Sequence, residues 1–200
     1  GTEIVRNWIS DTIGFMGGGD KWRFHTGTSG IYVDEAGGGA TIAENIVEGS
    51  AVGAVALHNA LFCTVSNNVF VSNSELPMTA STHQLSLSSW DNSPSGTFAN
   101  RRPTVVPEWQ KLVASDPRWL EFPAFAQDPS DDSKVFSADG RTMMGVQVVQ
   151  NVFCYPDQGG TRLYNCSNFS TLTNRLDRNL VWPGADVLPK VGLQGSDTGW

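Results

Sequence analysis

The sequence predicts an all-β chain, a parallel solenoid of short strands with three strands to each turn, interrupted by one partly helical insertion. Three observations carry that prediction. One pattern recurs along the chain: an aliphatic residue, two variable residues, an asparagine, then two apolar residues. Its spacing suits one turn of three short strands, with 23 residues from Asn45 to Asn68 and 28 from Asn151 to Asn179, and these segments lack the periodicity of a helical repeat. The composition agrees: 21 glycines, abundant Asn, Ser and Thr, and few lysines favour turns and strands over long helices.

The copies lie at 4–9 around Asn7, 42–47 around Asn45, 65–70 around Asn68, 148–153 around Asn151 and 176–181 around Asn179. In a solenoid each turn buries its inward aliphatic residues only against the turns above and below. An asparagine at a repeated corner then extends a ladder of side-chain amides along the stack. The asparagine row is therefore read as structural. Two longer gaps locate insertions. Asn7 and Asn45 are 38 residues apart, and the excess falls in the Gly-rich stretch 14–30. Asn68 and Asn151 are 83 apart, which leaves an excursion at 74–143. Its convincing helix is 107–114, with Pro107 in the first turn and Glu108 at the positive helix end. Trp109, Leu112, Val113, Trp119, Leu120, Phe122 and Phe125 supply an apolar face. The first turn begins at Ile4 and the last copy runs out after Trp182, with no obvious cap at either end. The 200 residues are expected to form a single domain, a piece of a larger solenoid whose remaining coils are its partners.

Thirteen Lys and Arg against twenty Asp and Glu give a formal charge of −7. Without a dense basic run, neither nucleic acid nor an anionic membrane is an expected partner. No apolar run is long enough for a transmembrane helix. Cys63, Cys154 and Cys166 fit neither a zinc site nor a disulfide scaffold. Cys154 and Cys166 flank a Gly-containing turn and would pair in an oxidising compartment, leaving Cys63 as a buried thiol. No cofactor and no metal site are expected. Ca²⁺ is the one ion that acidic loops such as Asp131-Asp132 would admit, and no motif supports it. His25 and His83 have no partner at ligand spacing.

Strand alternation sorts the polar residues by face. With Ile31 and Val33 inward, Tyr32 and Asp34 lie outside; with Val55 and Leu57 inward, Ala56 and His58 lie outside. Asp34 precedes Asn45 by 11 residues and His58 precedes Asn68 by 10, so the two side chains are expected on adjacent turns, about 4.8 Å apart. Arg141, 10 before Asn151, is the candidate for the third position. Asp11 is out of this register. A carboxylate beside an imidazole orients the ring and supports general acid/base work, which makes Asp34 and His58 the catalytic candidates. Two plainer roles stand beside this: Asp34 as a turn cap before the Gly-rich 36–39, and His58 as an exposed loop residue. Trp22, Tyr32 and Trp90 are the candidates for stacking on sugar rings, with Asn59 and Arg141 as polar binding residues. Trp109 and Trp119 are read as holding the insertion in place.

Several segments together resemble the right-handed parallel β-helix proteins of the carbohydrate-active class: Gly30 to Asp34, Val55 to His58, Asn67-Asn68-Val69-Phe70, Asn151-Val152-Phe153 and Asn179-Leu180-Val181-Trp182. Within that class the chain looks most like the β-helical glycoside hydrolases, over residues 4–182. These have a similar Gly-Ile-Tyr-x-Asp coil, a following coil with an exposed acid or His, and a helical insertion with Trp and Pro, here around 119–125. The resemblance implies a secreted protein that binds a polysaccharide or oligosaccharide in a groove on the outer face of the β-helix. Asp34 would be a catalytic carboxylate, with His58, Tyr32 and Arg141 around the substrate. Where those hydrolases carry a carboxylic acid on the next coil, this chain has Leu57-His58. Polysaccharide lyases and uronate epimerases share the scaffold, and a non-catalytic carbohydrate-binding or structural solenoid is the other alternative.

Overall fold

The computed structural model describes residues 1–12, 14–18, 21–24, 28–34, 38–50, 53–71, 83–88, 96–122, 125–136, 145–155, 162–167, 173–183, 190–193 and 196–199. Most of its regular structure is strand, nearly all of it in parallel sheets, and helices are few. The chain visits three sheets in rotation. β1 (Glu3–Val5) lies in the first and β2 (Trp8–Ser10) in the second; after the antiparallel hairpin β3 (Phe15–Gly18) and β4 (Lys21–Phe24), β5 (Ser29–Val33) lies in the third. The same order repeats in β6 (Thr41–Ala43), β7 (Ile46–Glu48) and β8 (Gly53–His58), then in β9 (Thr64–Ser66), β10 (Val69–Val71) and β11 (His83–Ser88). An insertion with α1 (Thr97–Ser115) and the short α2 (Asp132–Val135) follows. The rotation then resumes through β12 (Gln147–Val149), β13 (Val152–Tyr155) and β14 (Arg162–Ser167), and again through β15 (Arg175–Asp177), β16 (Leu180–Pro183) and β17 (Lys190–Leu193). β18 (Ser196–Gly199) turns back antiparallel on β17.

In-register pairing lines up like residues. The first sheet stacks Ile4, Ile42, Val65, Val148 and Leu176 in one row, and the second stacks Ile9, Val47, Phe70, Phe153 and Val181. These rows join Ile31, Val55 and Leu57 of the third sheet in a single hydrophobic core, in which the Phe70 and Phe153 rings lie 5.1 Å apart. Strands of three residues have little stability alone; burial of one side chain per strand against the next repeat holds them.

The corner between the first and second sheets explains the asparagines. It is two residues long in every repeat: Arg6, Glu44, Asn67, Gln150 and Arg178 take a left-handed φ of 53–59°, and the ladder asparagine follows. The left-handed residue turns the chain sharply and leaves the next backbone N–H without a strand partner. The neighbouring asparagine supplies it: Asn7, Asn45, Asn68 and Asn151 each donate their backbone N–H and Nδ2 to the Oδ1 of the next asparagine at 2.9–3.0 Å. Nδ2 also donates to main-chain carbonyls such as those of Ile4, Ile42 and Val65. Asn68 and Asn151, 83 residues apart in sequence, are direct neighbours in this ladder.

Several expectations are corrected. Residues 29 and 30 belong to β5, so the first excursion is narrower than 14–30. Residues 83–88 form β11, paired with β8 and β14, so a strand of the third sheet interrupts the excursion expected at 74–143. No ladder asparagine follows β11 before the insertion intervenes, which is why the sequence pattern misses that strand. α1 starts ten residues before Pro107 and runs through Pro103 and Pro107. Both prolines are on its exposed side, where water can serve the carbonyls their missing N–H groups leave. Cys154 carries a free thiol, so it does not pair with Cys166; the two lie on β13 and β14, strands of different sheets. Cys63 is buried, and burial raises its thiol pKa.

Candidate functional site

The site stands at the carboxyl ends of β5 and β8. Val33 and Leu57 are in register there, so the next residue of each chain segment, Asp34 and His58, comes side by side. Asp34 Oδ1 lies 2.8 Å from His58 Nδ1, a hydrogen-bonded pair whose side chains are 52% and 35% exposed respectively. Two residues earlier on β5, Tyr32 is 51% exposed, in register with Ala56. Carboxylate, imidazole and phenol thus share one face of the third sheet, within reach of a single ligand.

The pairing of Asp34 with His58 is what the spacing from the asparagine ladder predicts. Ala56, expected outside, is 6% exposed, because β8 is buried along both faces until His58 emerges. Asn59, counted among the binding residues, is 1% exposed with a left-handed φ of 55°. It is an interior turn residue and leaves the groove. Trp22 lies on β4 of the hairpin. Trp90 and Arg141 fall outside the described residues, as do His25, Asp20 and Asp91. Trp109 and Trp119 pack within the insertion: Trp109 Nε1 donates to the Phe125 carbonyl at 3.1 Å, and the Trp119 ring lies 5.0 Å from that of Phe125. Among the described residues there is no group of three or more His, Cys, Asp or Glu side chains that could hold a metal ion.

Two features escape sequence reasoning. Ser88, the last residue of β11, is in register with His58 on the side of β8 away from Asp34. The outer face of the second sheet also carries an apolar row, Trp8, Ile46, Val69, Val152 and Leu180, with Trp182 alongside. Trp8 is 74% and Trp182 65% exposed. The signal for this row lay in the repeat itself. Two consecutive apolar residues after each asparagine cannot both face inward on a strand.

No protein-family model, curated protein or solved structure matches the chain.

Proposed function

We propose that the three sheets form a right-handed parallel β-helix and that the protein is a secreted, polysaccharide-active protein, glycoside hydrolase-like, which holds a glycan along the outer face of the third sheet. The observation that carries this reading is the 2.8 Å Asp34–His58 contact on an exposed face beside Tyr32. Strand rotation through three sheets in chain order supports the β-helix, and parallel crossovers are right-handed in nearly all proteins. Tyr32 offers a flat ring to the apolar face of a sugar. Asp34 and His58 supply a carboxylate and an imidazole for acid/base work on the bond that lies over them.

The test is a panel of neutral and acidic polysaccharides, assayed for binding by calorimetry and for cleavage by release of reducing ends. Binding that weakens in Tyr32→Ala, with cleavage abolished and binding retained in Asp34→Asn, is the expected result. Binding without cleavage of any glycan would leave a carbohydrate-binding role alone. No binding at all would refute the reading.

A further inference from the structure

We infer that the outer face of the second sheet is a glycan-binding platform in its own right, taking the flat side of a neutral β-1,4-linked chain laid across the strands from Trp8 to Trp182. This face shares no residue with the groove on the third sheet. Each strand of the second sheet turns one apolar residue into the core, so the residues before and after it face outward. The strand order β16-β13-β10-β7-β2 puts Leu180 and Trp182 at one edge and Trp8 at the other, with Val152, Val69 and Ile46 in register between them. Four inter-strand steps make the strip about 19 Å long, and the two-residue offset of Trp182 from Leu180 makes it about 7 Å wide. Apolar residues scattered singly over a surface need no partner, whereas a contiguous apolar row marks a binding face.

Shape, area and charge together select the occupant. A strip of these dimensions presents on the order of 200 Å² in projection, against roughly 800 Å² on each side of a stable protein complex. It is too narrow for a second copy of the chain and suits a ligand one ring wide. Tryptophans at both edges suit sugar rings whose substituents are all equatorial, because such rings offer apolar C–H faces for stacking. Between them, the branched side chains of Ile46, Val69, Val152 and Leu180 continue the apolar floor. Neither this row nor the parallel one from Ser10 to Trp182 contains a Lys or Arg, so an acidic glycan finds no counter-charge and a neutral one is favoured.

Trp8 is set in place before any ligand arrives. Its Nε1 donates to Glu48 Oε1 on the neighbouring strand at 2.8 Å, yet the residue stays 74% exposed. The ring's one polar group is thereby satisfied and its freedom reduced, which lowers the ordering cost of stacking. Ser10, exposed and in register with Glu48, places a hydroxyl and a carboxylate beside the ring for the hydroxyls of the sugar.

The experiment measures binding of the full chain to cellohexaose by calorimetry and to microcrystalline cellulose by depletion from solution, in the wild-type protein and in Tyr32→Ala, which removes the aromatic ring of the third-sheet face. Binding is expected of both. In the Tyr32→Ala background, Trp8→Ala and Trp182→Ala should each lower affinity roughly fivefold to tenfold, the two together should abolish adsorption on cellulose, and Trp182→Phe should retain it within roughly threefold. Both tryptophans are exposed, so an unchanged urea midpoint shows that the loss belongs to the face and not to the fold. A wild-type protein that binds neither probe would overturn the platform, as would undiminished binding after both tryptophan substitutions. Binding that Tyr32→Ala alone abolishes would overturn it too, and would leave the third-sheet groove standing. A dimer in sedimentation that the paired tryptophan substitutions dissolve would give the row to a second copy and also overturn it. Failure of the third-sheet reading gives a different pattern: Tyr32→Ala then changes nothing, while the tryptophan substitutions still remove binding.

Discussion

Removing one amide from the middle of the asparagine ladder should cost far more than removing one from its end. Asn68 is fully buried, and its side chain donates to Asn151 Oδ1 at 2.9 Å and to the carbonyls of Ile42 and Ser66 at 2.9 and 3.1 Å. It accepts from the backbone N–H and Nδ2 of Asn45, both at 2.9 Å. In Asn68→Ala the Asn45 backbone N–H loses its acceptor at a residue only 1% exposed, whereas Asn45 Nδ2 keeps the Ile4 carbonyl. An unsatisfied buried donor costs about 1–3 kcal/mol and each further lost hydrogen bond about 1, so the substitution should destabilise by about 3–5 kcal/mol. Asn7 is exposed, and in Asn7→Ala the Asn45 Oδ1 it contacted still accepts the Asn7 backbone N–H at 3.0 Å. The expected cost there is about 0.5–1 kcal/mol. Urea unfolding of the two variants, compared by midpoint at an unchanged slope, measures the gap. Asn68→Asp, which retains an acceptor but loses the donors and brings a charge inside, should be no more stable than Asn68→Ala. Costs for Asn68→Ala and Asn7→Ala within about 1 kcal/mol of each other would refute the ladder as a source of stability.

Other consequences are equally direct. Gln150, exposed and at φ 59°, should accept glycine with no loss or a gain of up to about 1 kcal/mol, whereas Gln150→Val should cost about 1–2, both read by thermal unfolding. Gly30→Ala would place a methyl 2.4 Å from Val47 Cγ1 and 2.9 Å from the Ala54 carbonyl, and should destabilise by about 2–3 kcal/mol. Cys63, buried and with its thiol pKa raised by burial, should resist alkylation until the protein is unfolded; rapid modification under native conditions would contradict its placement. The side chain of Arg118, and then its backbone N–H, hold the Asp116 carboxyl below the ordinary range. Because the folded value is the lower one, the contribution to stability is present above the unfolded carboxyl range and fades as pH falls through the folded value. NMR titration should show Asp116 moving up towards the ordinary range in Arg118→Ala.

Much of the scaffold is legible in the residues because its rules are local and repeated. The two-residue corner, the asparagine and the apolar pair after it recur with each turn, so position within the repeat gives both strand and register. The ladder's distance to Asp34 and to His58 brought those two residues together before any coordinates did. The rules fail where the repeat is broken. The helical insertion separates β11 from the next asparagine corner at Asn151, so the position of β11 cannot be counted back from the pattern as those of β5 and β8 can. α1 likewise crosses the two prolines that ordinarily mark a helix start, because its exposed side leaves their vacated carbonyls to water.

Asn59 and the row from Trp8 to Leu180 show the remaining division. Alternation along a strand is fixed by backbone geometry, so the sequence by itself determined the strand-rich class, the inward rows and the asparagine ladder. Burial depends on what lies over a face. Only the tertiary structure decided that Asn59 and Ala56 are covered, that Trp8 and Trp182 are open, and that β11 flanks β8 opposite β5. Those outcomes come from contacts between segments far apart in the chain, whose pairing is set by the burial of the whole core and not by any residue's immediate neighbours.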